Sequence, residues 1–413
     1  MSDKAGKHFD LATQGRICVL CPNMCRYLCP VASVEKSETT SPRGKATLAH
    51  GLSRGEVPFS ESEAAALYHC ATCKICREWC PSNVDLPEVT RELRERAARE
   101  GLAPPAVRNL AERLVRDRSL HGPAAALAAE GLSRYRQLVS PGAKVLYFAG
   151  CSTATLQPRV VAATLRLFEA AGVKVARLQT EECCGLPLDV LGFREEAAAF
   201  ARGLAAAVEA GGYQTVVSGC PMCTQVMKDR YPALGVTLGA DVRHVAEYFA
   251  GLAEEGALSG PAGKRDTGNP RGAGDAPGDT GPPAGKRDTG PPAGAVTYHD
   301  PCYLGRYQGV YDPPRRLLTG VAGLALVEME RHGELAACCG GAFTTDTVRP
   351  GTATSLASRR IEEAGRTGAG TLVTACPHCL EMLGPAGADR GIAVRDIAEV
   401  LAERLGVLPR RSA

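Results

Sequence analysis

The sequence predicts an α+β multidomain protein in which a helical N-terminal domain precedes two copies of one α/β module. All 18 cysteines fall into four clusters, and the last two clusters share one spacing, which indicates an internal duplication. Strand-like and helix-like segments alternate around those two clusters, as is typical of parallel sheets. The predicted units are a helical cysteine-rich domain at 1–100, a helical connector at 101–142, the first module at 143–258, a disordered Gly/Pro-rich linker at 259–294 and the second module at 295–408.

Size and composition exclude several classes of protein. A chain of 413 residues can build two or three domains, so it does not need a disulfide scaffold of the small secreted kind. A formal net charge of +3 gives no strong field for nucleic acid, and we expect no nucleic-acid partner. The N-terminus has no apolar signal core, and no run of apolar residues is long enough to span a membrane. We therefore expect a cytoplasmic protein that reaches the inner face of a membrane only through a partner.

The first two cysteine clusters predict two 4Fe-4S cubane clusters. The second cluster reads CATCKICREWCP, and its spacing of two, two and three residues before a proline is typical of two-cluster ferredoxins. The first reads CVLCPNMCRYLCP, with three residues where two are usual between its second and third cysteines. In such proteins the fourth cysteine of each motif binds the other cluster. The predicted ligand sets are Cys18, Cys21, Cys25 and Cys80 for one cluster, and Cys70, Cys73, Cys76 and Cys29 for the other.

The forty residues between the two motifs predict helices rather than a compact ferredoxin loop. We expect helices at 44–55 and 61–68, the second capped by Ser60 with Glu63 completing a capping box. This arrangement resembles the helical ferredoxin domain of succinate dehydrogenase iron–sulfur subunits. The motif SPRGK at 41–45 is similar to that of glycolate oxidase iron–sulfur subunits. We expect Trp79, beside a ligand, to shield the cluster from water.

The duplicated modules each carry five cysteines. Strands are predicted in KVLYFAGC, VKVARL and TVVSGC of the first copy, and in AVTYHDPC, LALVEM and TLVTACPHC of the second, with helices near 157–171, 195–209, 313–318 and 354–363. The carboxyl ends of parallel strands meet at one sheet edge, so the cysteines that follow them should converge there. The two sets are Cys151, Cys183, Cys184, Cys220 and Cys223, and Cys302, Cys338, Cys339, Cys376 and Cys379.

Adjacent cysteines suit two neighbouring irons better than one metal ion, because consecutive side chains point in different directions. Gly185 and Gly340 follow the two pairs, and we predict that they let the backbone approach a cofactor. These repeats resemble the CCG domains of the B-type and D-type subunits of heterodisulfide reductase, of glycolate oxidase iron–sulfur subunits and of the C-type subunit of anaerobic glycerol-3-phosphate dehydrogenase. The resemblance implies one or two further 4Fe-4S clusters of a non-cubane type. Structural zinc, which also binds Cys-x-x-Cys pairs, remains the alternative for a scaffold without catalysis.

Two histidines and two arginines lie near the module cysteines. His299, three residues before Cys302, is the candidate catalytic residue, since it could donate a proton near a thiolate; a structural hydrogen bond is an equal alternative. His378 could also donate a proton to a thiolate, but we expect it to be hydrogen-bonded to the backbone instead. Arg159 and Arg306 could pair with the charge of a cluster or with an anionic partner, but we expect them to be solvated.

These features predict an iron–sulfur oxidoreductase that is one subunit of a complex. It would pass electrons from a partner flavoprotein dehydrogenase through its 4Fe-4S clusters to a quinone or another acceptor, with a membrane-anchored quinone-reactive protein as a second partner. The chain lacks a Gly-x-Gly-x-x-Gly motif, so we expect the flavin to lie on the partner. The alternative is a heterodisulfide-reductase-like enzyme that reduces a disulfide at a non-cubane cluster of a CCG module.

Overall fold

The computed structural model describes residues 11–22, 24–124, 135–259 and 294–410. Its N-terminal part is helical, as predicted, and a helical connector follows. The predicted linker at 259–294 lies almost wholly outside the described residues. The elements of this part are α1 (Leu11–Leu20), a 3₁₀ turn (Met24–Tyr27), α2 (Pro30–Glu35), α3 (Pro42–Ser53), α4 (Glu61–Leu67), α5 (Ile75–Glu78), α6 (Leu86–Arg99) and α7 (Pro105–Asp117).

Local sequence signals set the ends of these helices. Ser41 caps α3 by accepting a hydrogen bond from the backbone N–H of Gly44 at 3.0 Å. The predicted capping box of Ser60 and Glu63 is present at the start of α4. α6 and α7 are separated at Pro104, as predicted, because proline in a helix interior removes a backbone hydrogen bond.

The first module is a four-stranded parallel sheet with the strand order β2-β1-β3-β4. The predicted strand at 173–178 shortens to two residues at the sheet edge. The strands are β1 (Val145–Tyr147), β2 (Val175–Ala176), β3 (Thr215–Ser218) and β4 (Asp241–His244). The helices are α8 (Cys151–Leu156), α9 (Pro158–Ala170), α10 (Leu186–Leu191), α11 (Arg194–Gly211), α12 (Pro221–Gln225), α13 (Tyr231–Ala233) and α14 (Val245–Glu254), with a π turn at Val226–Arg230.

The second module repeats this plan with a parallel sheet of order β5-β6-β7. Its strands are β5 (Val296–His299), β6 (Thr371–Thr374) and β7 (Ala393–Asp396). Its helices are α15 (Gly305–Gln308), α16 (Asp312–Arg316), α17 (Thr345–Val348), α18 (Pro350–Gly365), α19 (Pro377–Ala388) and α20 (Ile397–Arg404), with a π turn at Leu317–Val321 and a 3₁₀ turn at Gly333–Leu335.

One predicted strand of the second module, LALVEM at 324–329, was wrong. Only a single bridge, between Leu326 and Val296, lies at the position that β2 takes in the first module. Farther along, the backbone N–H of Arg331 donates to the carboxylate of Glu363 at 2.7 Å, which draws the chain away from the sheet edge. An edge segment has only one neighbouring strand to hold it, so this competing bond ends the pairing.

The two modules share one apolar core. Buried side chains of both sheets and of their outer helices belong to the same cluster, among them Tyr147, Phe168, Phe249, Tyr298, Val373 and Ile397. The two sheets therefore pack together around this core. The predicted α+β class with a helical domain and two duplicated α/β modules is confirmed, whereas the exact domain boundaries stay predictions. Within the described residues, no helix has the length and apolar character needed to cross a membrane.

Candidate iron–sulfur centres

The first predicted ligand set surrounds a cavity of about 330 Å³ in the N-terminal domain. Trp79 also lines this cavity, but 46% of its surface is exposed, so it covers the site only in part and the expected shield is incomplete. Burial and the neighbouring thiols raise the pKa of Cys18 to about 12. The cysteines that line the cavity are Cys18, Cys21, Cys25 and Cys80, with Cys76 of the second set at its border.

The second predicted set gathers around Cys29. Burial raises the pKa of Cys29 to about 11, and the nearby thiols of Cys70 and Cys73 add to this effect. Cys76 is partly buried, and burial together with Cys70, Cys73 and Cys29 raises its pKa well above the usual value. The fourth cysteine of each motif therefore lies with the other motif, as the ferredoxin spacing predicts. Ligation itself stays a prediction.

Lys45 is a residue of this second site that the sequence reasoning missed. Its side chain is buried, it donates a hydrogen bond to the carbonyl of Thr40, and its charge acts to lower the pKa of Cys29. A positive charge beside a thiolate stabilises the deprotonated form that binds metal. The sequence feature that could have indicated this residue is the motif SPRGK, whose last residue is Lys45.

The five cysteines of the first module line one narrow cavity. Cys151 begins α8 just after β1, the adjacent pair follows β2, and Cys220 caps α12 after β3. Gly150, at φ +80°, keeps this space open, because a Cβ there would lie 3.2 Å from Sγ of Cys223. Hydrogen bonds from Cys183 and Cys223 lower the pKa of Cys184 to about 6.

The five cysteines of the second module are all buried and repeat this pattern. Hydrogen bonds from Cys338 and Cys379 lower the pKa of Cys339, the same member of the pair as Cys184. A ring nitrogen of His299 and the Sγ atoms of Cys339 and Cys379 lie within 4.8 Å of one another. The structure thus places the candidate catalytic histidine at this centre, while its catalytic role stays a prediction.

Gly185 and Gly340 both have left-handed backbones, with φ of +83° and +99°. A Cβ at Gly185 would lie 2.9 Å from Cβ of Phe200, and one at Gly340 would lie 2.5 Å from the carbonyl oxygen of Ala353. Both glycines therefore let the following long helix pack directly behind the cysteine pair. Their contact with a cofactor stays a prediction.

The N-terminal centres and the second module are in direct contact. The side chains of Cys73 and Cys338 are hydrogen-bonded to each other. Arg306, which we expected to be solvated, is buried and donates to the carbonyl of Cys73 and, at 2.8 Å, to that of Ala336. It thereby joins the two domains at this point.

The structure corrects two further expectations. Arg159 is not simply solvated, because it pairs with Glu399 at 3.1 Å and with Glu403 at 2.6 Å across the interface. His378 does not bond to the backbone as expected; its Nε2 lies 3.3 Å from Asp346 and its Nδ1 lies 3.5 Å from Glu381. Burial opposes protonation of His378, but these carboxylates raise its pKa well above the usual value.

Residues of the second module complete the cysteine cavity of the first. Phe343 and His378 line the cavity beside the five cysteines. A surface groove of about 540 Å³ lies beside this cavity. The residues that line both the groove and the cavity are Leu120, Ser152, Phe343 and His378. The groove further contains His121, whose Nε2 lies 3.0 Å from Oγ of Ser152. Nothing in the local sequence signals this convergence, since it depends on how the modules pack.

The donor sets fit iron–sulfur clusters. All 18 cysteines are free thiols, gathered in sets of four, four, five and five. Burial and mutual repulsion raise the pKa of most of them, so the thiolates need a positive partner, which an iron cluster supplies. The set of Cys18 encloses a cavity of about 330 Å³, and sets of sulfur ligands alone are the donors that 4Fe-4S clusters require.

Fold and donor sets together define an iron–sulfur protein in which a dicluster domain precedes two cysteine-rich modules. Comparison with protein families agrees: residues 14–84 match the 4Fe-4S dicluster domain, and residues 145–228 and 296–384 match the cysteine-rich domain named CCG.

Curated relatives place the chain within this family. It is 30% identical over 363 residues to the D-type subunit of dihydromethanophenazine:CoB–CoM heterodisulfide reductase from Methanosarcina mazei, covering 85% of this chain and 81% of the relative. It is also similar to the B-type subunit of fumarate reductase (CoM/CoB) from Methanothermobacter marburgensis (29% identity; 78% of this chain and 59% of the relative). A third relative is the EtfAB:quinone oxidoreductase of Syntrophomonas wolfei (26% identity; 81% of this chain and 46% of the relative).

The chain belongs to the CCG family of iron–sulfur proteins that includes the D-type subunit of heterodisulfide reductase. This confirms the family that the cysteine spacing predicted. It is related to subunits of oxidoreductases, so an iron–sulfur oxidoreductase role follows in general terms.

Proposed function

We propose that this protein is the electron-transfer subunit of a flavin-linked oxidoreductase complex. Electrons from a partner flavoprotein dehydrogenase would enter through two 4Fe-4S cubanes held by the N-terminal cysteine sets. They would continue to non-cubane clusters in one or both modules, and from there to a quinone or another acceptor. The hydrogen bond between Cys73 and Cys338 carries this proposal, because ligands in contact bring their clusters close enough for direct electron transfer.

The order of the centres follows from the same contacts. Trp79, which lines the cavity of Cys18, is 46% exposed, and a partly exposed site suits the entry of electrons from a partner. The set around Cys29 includes Cys73 and therefore lies between this entry and the second module. The first module is reached last, since its cavity is completed by His378 of the second.

The partners and the location are part of this proposal. The flavin would reside on the dehydrogenase, since the chain has no dinucleotide-binding motif. The name of one relative, an EtfAB:quinone oxidoreductase, supports a quinone as the acceptor. The protein would be cytoplasmic and would reach the inner face of the membrane through a membrane-anchored, quinone-reactive partner.

Iron content and stepwise reduction test the proposal. Anaerobically reconstituted protein should hold at least about eight irons in the two cubanes, and C29S should lose about four of these. Photoreduced flavin mononucleotide should then fail to reduce the module centres of C29S, although dithionite still reduces them. The exposed-histidine variant H332Q should behave as wild type. Fewer irons in the wild type, or module reduction in C29S at the wild-type rate, would contradict the proposed path.

A second candidate function, reduction of a disulfide within this chain, is favoured by the groove. The groove leads from the surface to the cysteine cavity of the first module and carries His121 and Arg113. A small disulfide there would take up two electrons and two protons and leave as two thiols. Low-temperature paramagnetic resonance separates the two functions, because only a catalytic first module should give a new signal when a small thiol is added. The variant F343W should block that signal, since the larger side chain narrows the cavity.

A further inference from the structure

The two modules share one plan, but they surround their centres with different side chains. His299 lies three residues before Cys302, and Phe148 takes this position three residues before Cys151. Arg360 lies 16 residues before Cys376, and Leu204 lies 16 residues before Cys220. All four side chains are buried. At these two positions, therefore, the second module has polar side chains and the first module has hydrocarbon side chains.

Arg360 is held rigidly beside His299. Its side chain is fully buried, its Nη1 lies 2.9 Å from the carboxylate of Glu363, and the same nitrogen donates to the carbonyl of Arg331 at 2.8 Å. Its Nε donates to Nδ1 of His299 at 3.0 Å. Because a guanidinium has donors only, Nδ1 must be the acceptor.

This hydrogen bond fixes the tautomer of His299. A ring nitrogen that accepts a hydrogen bond from Arg360 carries no proton, so the ring is neutral. A neutral imidazole with an accepting Nδ1 carries its proton on Nε2. The lone pair of Nδ1 is used by Arg360, which leaves Nε2–H as the group that His299 offers to the nearby thiolates. A nitrogen that carries a proton cannot also ligate a metal, so His299 is a hydrogen-bond donor at this centre.

We propose that His299, oriented by Arg360 and Glu363, donates a hydrogen bond to Cys339 and thereby makes the centre of the second module easier to reduce. Reduction adds negative charge to a cluster, and a donor to a ligand sulfur stabilises that charge. Phe148 offers no such bond in the first module. His299 is a positioning residue in this scheme, which rests on the proposed function. Electrons that arrive through Cys73 would collect on the second module before they pass to the first.

Substitution of His299 tests this proposal. H299F installs the residue of the first module, H299Q keeps an N–H donor, and H332Q replaces an exposed histidine of the same module as a control. Midpoint potentials of all centres are measured by redox titration followed by paramagnetic resonance, together with iron content. We expect H299F to lower one midpoint potential by about 59 mV, which is a tenfold change in a one-electron reduction equilibrium. The iron content should stay unchanged. H299Q should retain most of the wild-type potential.

Three outcomes would overturn the inference. Loss of iron in H299F would make His299 a ligand, and unchanged potentials in an iron-loaded H299F would remove its role as a donor. Wild-type protein without iron in either module would refute the proposed function itself, which distinguishes that failure from the other two. Should H299F not fold, H299M provides the same test, because the flexible thioether also lacks an N–H and adapts to irregular cavities.

Discussion

The glycine after the second cysteine pair tests how the pair is held in place. In G340A the new Cβ would lie 2.5 Å from the carbonyl oxygen of Ala353, whereas ordinary contacts begin at 3.4 Å. The difference, 3.4 − 2.5 = 0.9 Å, must come from a shift of α18 or of the pair itself. Such overpacking costs about 1–3 kcal/mol. The left-handed backbone of Gly340 adds about 1–2 kcal/mol of strain.

A matched control separates the two costs. Gly256 also has a left-handed backbone, with φ +77°, but nothing lies within 4 Å of a Cβ built there. G256A therefore incurs the strain without the clash. We expect G340A to unfold at a temperature about 2–12 °C below that of G256A, from the overpacking term alone, as measured by circular dichroism.

The same pair of variants tests the predicted role of Gly340 at the cofactor. Equal melting temperatures in the two variants would refute the packing argument. Loss of iron from G340A without a matching loss of stability would instead indicate that the cofactor, and not α18, requires the glycine.

Three further predictions follow from single buried or half-buried side chains. Arg94 donates hydrogen bonds to the carbonyls of Leu67, Cys70 and Val190. R94M should therefore lower the free energy of unfolding, measured by urea denaturation, by about 1–3 kcal/mol for each carbonyl left without a donor. The control R96M, which removes an exposed ion pair, should leave the free energy of unfolding nearly unchanged. Burial raises the pKa of Asp396 from 3.8 to about 7, so the folded state holds this proton more tightly than the unfolded state does. Stability should therefore fall by about 1.4 kcal/mol per pH unit as pH rises from 3.8 toward about 7, and D396N, which keeps the cap on Ala398, should abolish this loss. A slope unchanged in D396N would contradict this. W79A should leave anaerobic iron content unchanged but speed the loss of iron in air, because Trp79 partly covers the cavity of Cys18.

Local signals made much of the fold predictable from the sequence. The capping box at Ser60 and the break at Pro104 depend on residues a few positions apart, and both are present. The exchange of Cys29 and Cys80 between the two N-terminal sets follows from motif spacing alone. Strand positions were also readable, because short β-branched runs end in cysteine. The edge segment at 324–329 failed since a single tertiary hydrogen bond, from Arg331 to Glu363, outweighs local strand preference there.

The contacts between domains could not be predicted in this way. Arg306 and Arg159 were expected in solvent because arginine is mostly exposed, and only the packed interface supplies the carbonyls and carboxylates that hold them. The bond between Cys73 and Cys338 joins residues 265 positions apart (338 − 73 = 265). No spacing rule reaches that far, so the sequence predicted the ligand sets but not their order.

The duplicated modules are not independent of each other. His378 belongs by sequence to the closing motif of the second module, yet it lines the cavity of the first. The first module offers Met222 at the corresponding position of its own motif, which cannot form the ion pairs that His378 makes with Asp346 and Glu381. Duplication thus supplied two similar sheets, and their shared core then allowed one copy to contribute polar groups to both centres. A change at His378 should therefore alter the first centre, whereas a change at Met222 should leave the ion pairs of the second module intact.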